Sequence, residues 1–432
     1  MSQQVKALYH TFGCKLNFAE TASVEKAFES RGILAASPHE TPGIIVINSC
    51  SVTAEADRKC RSFIRSLNRR YPEAKILVTG CYAQLKPDEV SALPGVAVVA
   101  GTNGKMRLTE YLDNYLTEEQ PITDVHAAKD LREFMPSCSR GERTRYFLKV
   151  QDGCDYWCTY CTIPKARGRS RSGTIDDIVA QAHKAAEEGG KEIVITGVNI
   201  GDFGHGRDDN FLDLCRALDK VDGIERYRIS SIEPNLLTDS LIDFVGESRA
   251  FMPHFHIPLQ CGDDEILRLM HRRYDTALFA AKIDRVRRVL PEAFIGVDLI
   301  VGARGETPER FESSRAFVDS LDISHLHVFP YSERPGTRAL DIEYAVDQTE
   351  KHRRVSVMTA ISAAKHAAFA RRFEGTRRPV LLEHSAHGGL IGGFTDNYLR
   401  VEAQLPENYD NTIVEMSLDR LKDDGETFEA SI

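Results

Sequence analysis

The chain has no apolar run approaching the ~20 residues that span a bilayer. Its start, Met1-Ser2-Gln3-Gln4-Val5-Lys6, also lacks the charged-then-apolar layout of a secretory signal. The expectation from both absences is a cytoplasmic protein without a membrane partner. Disulfides are rare in that compartment, so the ten cysteines are better read as free thiols and metal ligands. An excess of positive charge is missing too: 55 Lys and Arg stand against 64 Asp and Glu, a formal net charge of −9. Any contact with nucleic acid must then come from local basic patches rather than from the overall field. The chain does have length and apolar content. Its 432 residues, 42% of them hydrophobic, suffice for two or three domains with cores.

The cysteines are unevenly spread. Cys154, Cys158 and Cys161 form a C-x3-C-x2-C loop in Asp152-Gly153-Cys154-Asp155-Tyr156-Trp157-Cys158-Thr159-Tyr160-Cys161. Three neighbouring thiols do not pair off as disulfides, and no fourth Cys or His is near enough in sequence to complete a tetrahedral zinc site. Thiolates also hold iron–sulfur clusters. A cubane held by only three of them keeps one iron open to an outside ligand. The plainer alternative is a buried or zinc-binding cysteine cluster.

Residues 1–117 alternate strand and helix. Val5–Thr11, Ile44–Ile47, Ile76–Val78 and Val96–Val99 read as strands, with helices over Phe18–Ser30 and Glu55–Arg70. This spacing predicts a parallel α/β sheet. Cys14, Cys50 and Cys81 each follow one of the first three strands. The carboxyl ends of parallel strands open on one edge, where ligands bind, so three cysteines far apart in sequence should meet there. Unrelated buried cysteines are the alternative. Cys60, Cys138, Cys215 and Cys261 have no such context and are read as non-ligands.

Residues 118–143 are polar, contain Pro121 and Pro136, and read as a linker. From 144 to 374 strands recur at Phe147–Val150, Glu192–Thr196, Tyr227–Ser231, His254–Ile257, Phe294–Ile300 and His325–Phe329, with helices over Thr174–Glu188 and Gln348–Glu374. Six strand–helix units predict a partial (β/α)6 barrel, open at the carboxyl ends of its strands. Residues 375–432 carry short strands at Val380–Glu383, Gly393–Val401 and Thr412–Val414 between Gly and Asn turns, which predicts a small β-barrel.

The C-x3-C-x2-C loop with Tyr160, the three strand-end cysteines and the Gly393–Val401 stretch, which is similar to a TRAM domain, together resemble the radical S-adenosylmethionine methylthiotransferase family over nearly the whole chain. Gly13-Cys14-Lys15-Leu16-Asn17 and Thr196-Gly197-Val198-Asn199-Ile200-Gly201 look most like the branch that acts on threonylcarbamoyladenosine beside the tRNA anticodon. The relatives that modify isopentenyladenosine, or an aspartate of a ribosomal protein, usually carry other residues at positions 15 and 16. The chain departs from the family at Gly302-Ala303-Arg304-Gly305-Glu306-Thr307, commonly Gly-Phe-Pro-Gly-Glu-Thr. Its last module is also acidic, with Asp419, Asp423, Asp424, Glu426 and Glu429.

The resemblance implies two 4Fe–4S clusters, one on Cys154, Cys158 and Cys161 and an auxiliary one on Cys14, Cys50 and Cys81. S-adenosylmethionine on the first would yield a 5′-deoxyadenosyl radical after one electron from a reductant such as flavodoxin or ferredoxin. The second would carry the sulfur that becomes a methylthio group on carbon 2 of the adenine. A non-catalytic iron–sulfur electron carrier is the rival reading from another class. By family pattern for Tyr160 and by barrel position for Asn199, Glu233 and Gln260, these four are candidate S-adenosylmethionine contacts, although strand-end polar residues are often purely structural. His254 and His256 alternate along one strand and read as structural. Arg65, Arg69 and Arg70 follow the Cys50 loop, and Lys165, Arg167, Arg169 and Arg171 follow the loop cysteines. Both sets are candidate phosphate contacts to a tRNA anticodon stem-loop. Arg371, Arg372, Arg377 and Arg378 form a third basic group, at the entry to the last module.

Overall fold

The computed structural model describes residues 5–118, 120–141, 143–383, 389–406 and 409–432, so Met1 to Gln4 of the polar start lie outside it. The first sheet is wholly parallel, in the order β1 (Ala7–Thr11), β2 (Ile44–Ser49), β3 (Lys75–Gly80), β4 (Val96–Ala100) and β5 (Ile122–Asp124). Helices Lys15–Glu29 and Ala54–Arg70 cover it. Every residue of β2 and β4 is buried, which is why these segments read as unbroken apolar runs rather than as alternation.

The segment read as a linker is built into two sheets. It supplies β5 to the first and β6 (Ser137–Ser139) to the second, where β6 pairs antiparallel with β7 (Tyr146–Lys149). Three-residue edge strands are too short to show a hydrophobic period, so the sequence disguises them.

A small ribbon of β8 (Gln151–Asp152) and β9 (Arg171–Ser172) closes the base of the cysteine loop. The barrel wall then continues through β10 (Glu192–Thr196), β11 (Arg226–Ile229), β12 (His254–Gln260), β13 (Phe294–Val301) and β14 (His325–Pro330). β7, β10 and β11 are parallel neighbours, as are β12, β13 and β14. Parallel bridges Tyr227–Phe251 and Ser231–His256 join the halves into one six-stranded wall, the predicted partial (β/α)6 barrel. Ile257, Leu259, Ile295, Val297 and Leu299 point outward into the main core under the helices. The alternate residues of the same strands, His256, Asp298 and His327 among them, face inward and are less buried.

The last module is a closed barrel of β15 (Arg377–Leu382), β16 (Leu390–Thr395), β17 (Arg400–Gln404), β18 (Ile413–Leu421) and β19 (Thr427–Ser431). The stretch Gly393–Val401, read as one short strand, is the end of β16, a turn at Asp396–Leu399 and the start of β17. The module docks on the larger barrel through two buried arginines. Arg226 donates to the carbonyls of Pro379 (2.8 Å) and Phe394 (3.1 Å). Arg228 donates to those of Thr395 and Asp396 (both 2.7 Å) while paired with Glu192 at 2.7 Å. Arg378 is likewise consumed, by Asp396 and Glu292 at 2.8 Å each, so it does not join the third basic group on the surface.

Candidate functional site

Two sets of three thiols form at the ends of strands. Cys14 caps the helix after β1, Cys50 directly follows β2, and Cys81 begins a one-turn helix directly after β3. All are free. Gly13 and Gly80, the residues before Cys14 and Cys81, both have left-handed backbones, with φ of 98° and 97°. A Cβ on Gly13 would lie 2.8 Å from the Cys50 sulfur, and one on Gly80 2.3 Å from the Ser49 carbonyl. Only glycine lets these two loops close on Cys50. Burial pushes the Cys50 thiol up to about 12, and Cys14 and Cys81 both act on it electrostatically, as expected of neighbours.

The second set lies on the loop between β8 and β9. Each sulfur accepts one N–H: Cys154 from the Tyr156 amide (3.4 Å), Cys161 from the Ile163 amide (3.4 Å), and Cys158 from Arg272 Nη1 (3.0 Å). Burial pushes the Cys154 and Cys161 thiols up to about 12 and raises Cys158 as well, with Arg272 pulling Cys158 back. Donors aimed at sulfur suit a bound thiolate, whose charge a metal would offset. The donor sets therefore fit iron–sulfur clusters: three free thiols each, close enough to act on one another electrostatically.

Between the two sets runs a buried ionic cluster that the sequence did not announce. Arg167 lies six residues after Cys161 and is 1% exposed. It donates to Asp152 Oδ1 (2.9 Å), Glu20 Oε1 (3.1 Å) and Oε2 (3.0 Å), and Asn17 Oδ1 (2.6 Å). Lys149 bridges the same two carboxylates at 2.8 Å each, Lys105 pairs with Glu20, and Arg171 pairs with Asp152 at 3.2 Å. Glu20 and Asn17 belong to the helix behind Cys14, whereas Asp152 precedes Cys154 by two residues. Arg167 also acts electrostatically on Cys50 and Cys81. Burial alone would raise the Glu20 carboxyl, but Arg167, Lys105 and Lys149 hold it well below the usual range. A second cross-domain pair lies nearby: Arg334, after β14, donates to Ser51 Oγ at 2.7 Å and Asp57 Oδ2 at 2.9 Å, next to Cys50.

This corrects the reading of Arg167 as a phosphate contact, since the side chain is enclosed and its donors are taken. Arg171 is largely enclosed as well, bound to Asp152 and to the carbonyls of Glu133 and Arg167. Lys165 and Arg169 are exposed. Arg65, Arg69 and Arg70 are also exposed, and among the described residues Arg65 and Arg69 have no ion-pair partner.

Of the S-adenosylmethionine candidates, Glu233 and Tyr160 lie beside the loop thiols. Glu233 is paired with Arg272, and burial raises its carboxyl. Tyr160 is near Arg272, Cys158 and Cys161, and burial drives its hydroxyl well up. Asn199 is 3% exposed, with its side-chain amide against the Tyr156 hydroxyl of the cysteine loop. Gln260 ends β12 at a register shift with a left-handed φ of 66°. Arg272 was missed because it reads as one more surface arginine in His271-Arg272-Arg273. In the departing loop, Glu306 accepts from the Gly302 amide (2.9 Å) and Arg354 (2.6 Å), which closes the loop without the usual Phe-Pro.

Comparisons agree with this architecture. Residues 6–101 match the uncharacterized protein family UPF0004, and residues 148–318 match the radical SAM superfamily. The threonylcarbamoyladenosine tRNA methylthiotransferase of Bacillus subtilis (strain 168) is 37% identical over 95% of this chain and 93% of its own length. The enzyme of that description from Thermotoga maritima is 34% identical over 91% of this chain and 90% of its own. Among solved structures, a radical S-adenosylmethionine methyltransferase from Kitasatospora setae shares the fold, with a TM-score of 0.51 and 14% identity over 76% of this chain and 73% of that one. Among the described residues no helix is long and apolar enough to cross a membrane. With three cysteines at strand ends, three more on one loop, a six-stranded parallel half-barrel and relatives matched over nine-tenths or more of both chains, this chain belongs to the radical S-adenosylmethionine methylthiotransferases that modify tRNA.

Proposed function

We propose that the enzyme methylthiolates carbon 2 of threonylcarbamoyladenosine beside the tRNA anticodon. The observation that carries this reading is the placement of the two tri-cysteine sites on either side of the Glu20–Arg167–Asp152 cluster. The elements that carry the two sets are thus tied together by one buried ionic cluster. The residues that would hold the clusters are Cys154, Cys158 and Cys161 for one and Cys14, Cys50 and Cys81 for the other. When bound, a cluster with an open iron supplies the electron that cleaves S-adenosylmethionine, and a second such cluster supplies the site from which sulfur is delivered.

The rest falls to the protein. Arg272 holds the Cys158 sulfur and Glu233 together, so a cation and an anion sit at the edge of the loop where an amino-acid moiety has both charges to satisfy. Asn199 adds a buried amide beside Tyr156, and Tyr160 a partly buried ring beside the loop. Arg167 and Lys149 fix the spacing of the two thiol sets. Arg65, Arg69, Arg70, Lys165 and Arg169 are the phosphate contacts that orient an anticodon stem-loop, whose target base must be splayed out to reach the chemistry. A small electron-transfer protein such as flavodoxin or ferredoxin serves as reductant. The acidity of the last module is compatible with RNA binding, because phosphate contact is local.

The test is mass spectrometry of anticodon-loop nucleosides from cells with and without the gene. Loss of 2-methylthio-threonylcarbamoyladenosine, with accumulation of its unthiolated precursor, is expected. Loss of the methylthio form of isopentenyladenosine instead, or modification of a ribosomal-protein peptide by the purified enzyme, would refute the assignment.

A further inference from the structure

A cavity of about 460 Å³ lies where the three modules meet, within the roughly 300–1,000 Å³ of small-ligand sites. Its floor is the inward face of β12, β13 and β14. Lys15, the residue after Cys14, enters from the first module, and Tyr398 enters from the turn between β16 and β17 of the small barrel. One wall is aromatic. The Tyr398 ring lies 4.5 Å from His254 and 5.8 Å from Phe294, centroid to centroid. Tyr398 is held there at a left-handed φ of 69°, a conformation that non-glycine residues adopt at a cost. An aromatic wall of this kind suits a planar base.

The charges sort unevenly. Asp298 is engaged by His256 at 2.8 Å. Arg145 and Arg228 face Tyr398 but are satisfied by Glu383 (2.9 Å) and Glu192 (2.7 Å). Lys15 alone of these cations has neither an ion pair nor a hydrogen bond among the described residues. Glu426, the other carboxylate on the lining, is exposed, whereas Lys15 is half-buried, and a half-buried cation left over calls for an anion. His256, Asp298 and His327 also offer ligand atoms within 4.8 Å of one another, a grouping that could take a divalent cation. The Lys15 ammonium acts on both Asp298 and His327, however, and would repel one.

We propose that this cavity receives the modified adenosine and that the Lys15 ammonium pairs with the carboxylate of its threonylcarbamoyl group. Lys15 is then the residue that selects an anionic substituent on the adenine. Because Cys14 is its neighbour in the chain, the same contact sets the base beside the strand-end cysteines. The inference rests on the substrate class proposed above.

The test compares anticodon stem-loops bearing threonylcarbamoyladenosine with the same RNA as its methyl ester, using the full chain and equilibrium binding alongside turnover. The wild type should bind the acid about 10-fold or more tighter than the ester. Lys15→Met should bring the two within about 2-fold, while Lys15→Arg, which keeps the charge, should keep a preference for the acid. A merely structural role for Lys15 would weaken both RNAs alike and leave their ratio unchanged, which would overturn the inference. So would stoichiometric zinc uptake that His256→Ala and His327→Ala abolish. If the wild type modifies neither RNA, the substrate assignment itself fails. If it modifies the acid form but the acid-to-ester ratio is independent of Lys15, only this inference fails.

Discussion

Glu20→Gln is the most informative single change outside the cysteines. The substitution is nearly isosteric, so packing is kept and only the charge is lost. Glu20 faces Lys105, Lys149 and Arg167, and its removal leaves Lys149, Arg167 and Arg171 sharing Asp152 and takes from Lys105 its carboxylate partner. Breaking one partner out of a buried ionic group costs about 3–5 kcal/mol. At about 2–4 °C per kcal/mol for a domain of this size, even the lower figure lowers the melting temperature by about 6–12 °C. The effect has a pH signature. Burial pulls the Lys105 ammonium below the usual lysine range, with Glu20 as the chief influence holding it up. In the variant, folded Lys105 therefore releases its proton earlier than the unfolded chain, whose lysines titrate near ~10.4. Where the unfolded state binds more protons, stability rises with pH. The gap between variant and wild type should thus narrow from pH 7 to pH 9. Calorimetry of the two proteins across that range is the assay, with limited proteolysis at residues 118–143 reporting separation of the modules. A variant melting within a degree of the wild type, or a gap that widens with pH, would refute the idea that this cluster clamps the modules together.

Reconstituted wild type should hold about eight irons, and replacing either set of three cysteines with alanine should leave about half. Loss of Cys14, Cys50 and Cys81 should spare cleavage of S-adenosylmethionine to 5′-deoxyadenosine but abolish methylthio product, whereas loss of Cys154, Cys158 and Cys161 should abolish both; equal loss of cleavage contradicts the division of roles. Arg272→Met removes both a positive charge and the N–H donor to the Cys158 sulfur, and should lower the reduction potential of the loop cluster in a potentiometric titration. Replacing Arg65, Arg69 and Arg70 with Gln should weaken stem-loop binding and reduce the salt slope by up to about one unit per lost phosphate contact. An unchanged slope with intact circular dichroism would return those arginines to a solubilising role.

Much of this protein was legible in the chain alone, because local patterns carry it. The C-x3-C-x2-C spacing is a property of one loop. The unbroken apolar runs of β2, β3 and β4 mark strands buried on both faces, and the meeting of the cysteines after β1, β2 and β3 at one sheet edge follows from topology once the sheet is parallel. Six strand–helix units announced the half-barrel. Position-specific roles of charged side chains were not legible, because charge has no periodic signature that separates a solvated arginine from an enclosed one. Lys165-Ala166-Arg167-Gly168-Arg169-Ser170-Arg171 reads as a single basic run, yet Arg167 is walled in by Glu20 from a helix almost 150 residues away, and Arg169 stays in water. Glu20 and Asn17 read as the polar face of an ordinary helix until the barrel packs against them. His254 and His256 read as structural. Lys15 read only as part of a resemblance until three modules closed around it. Tertiary packing alone decides which charges meet, since desolvation makes a buried ion tolerable only where the fold brings its counter-ion.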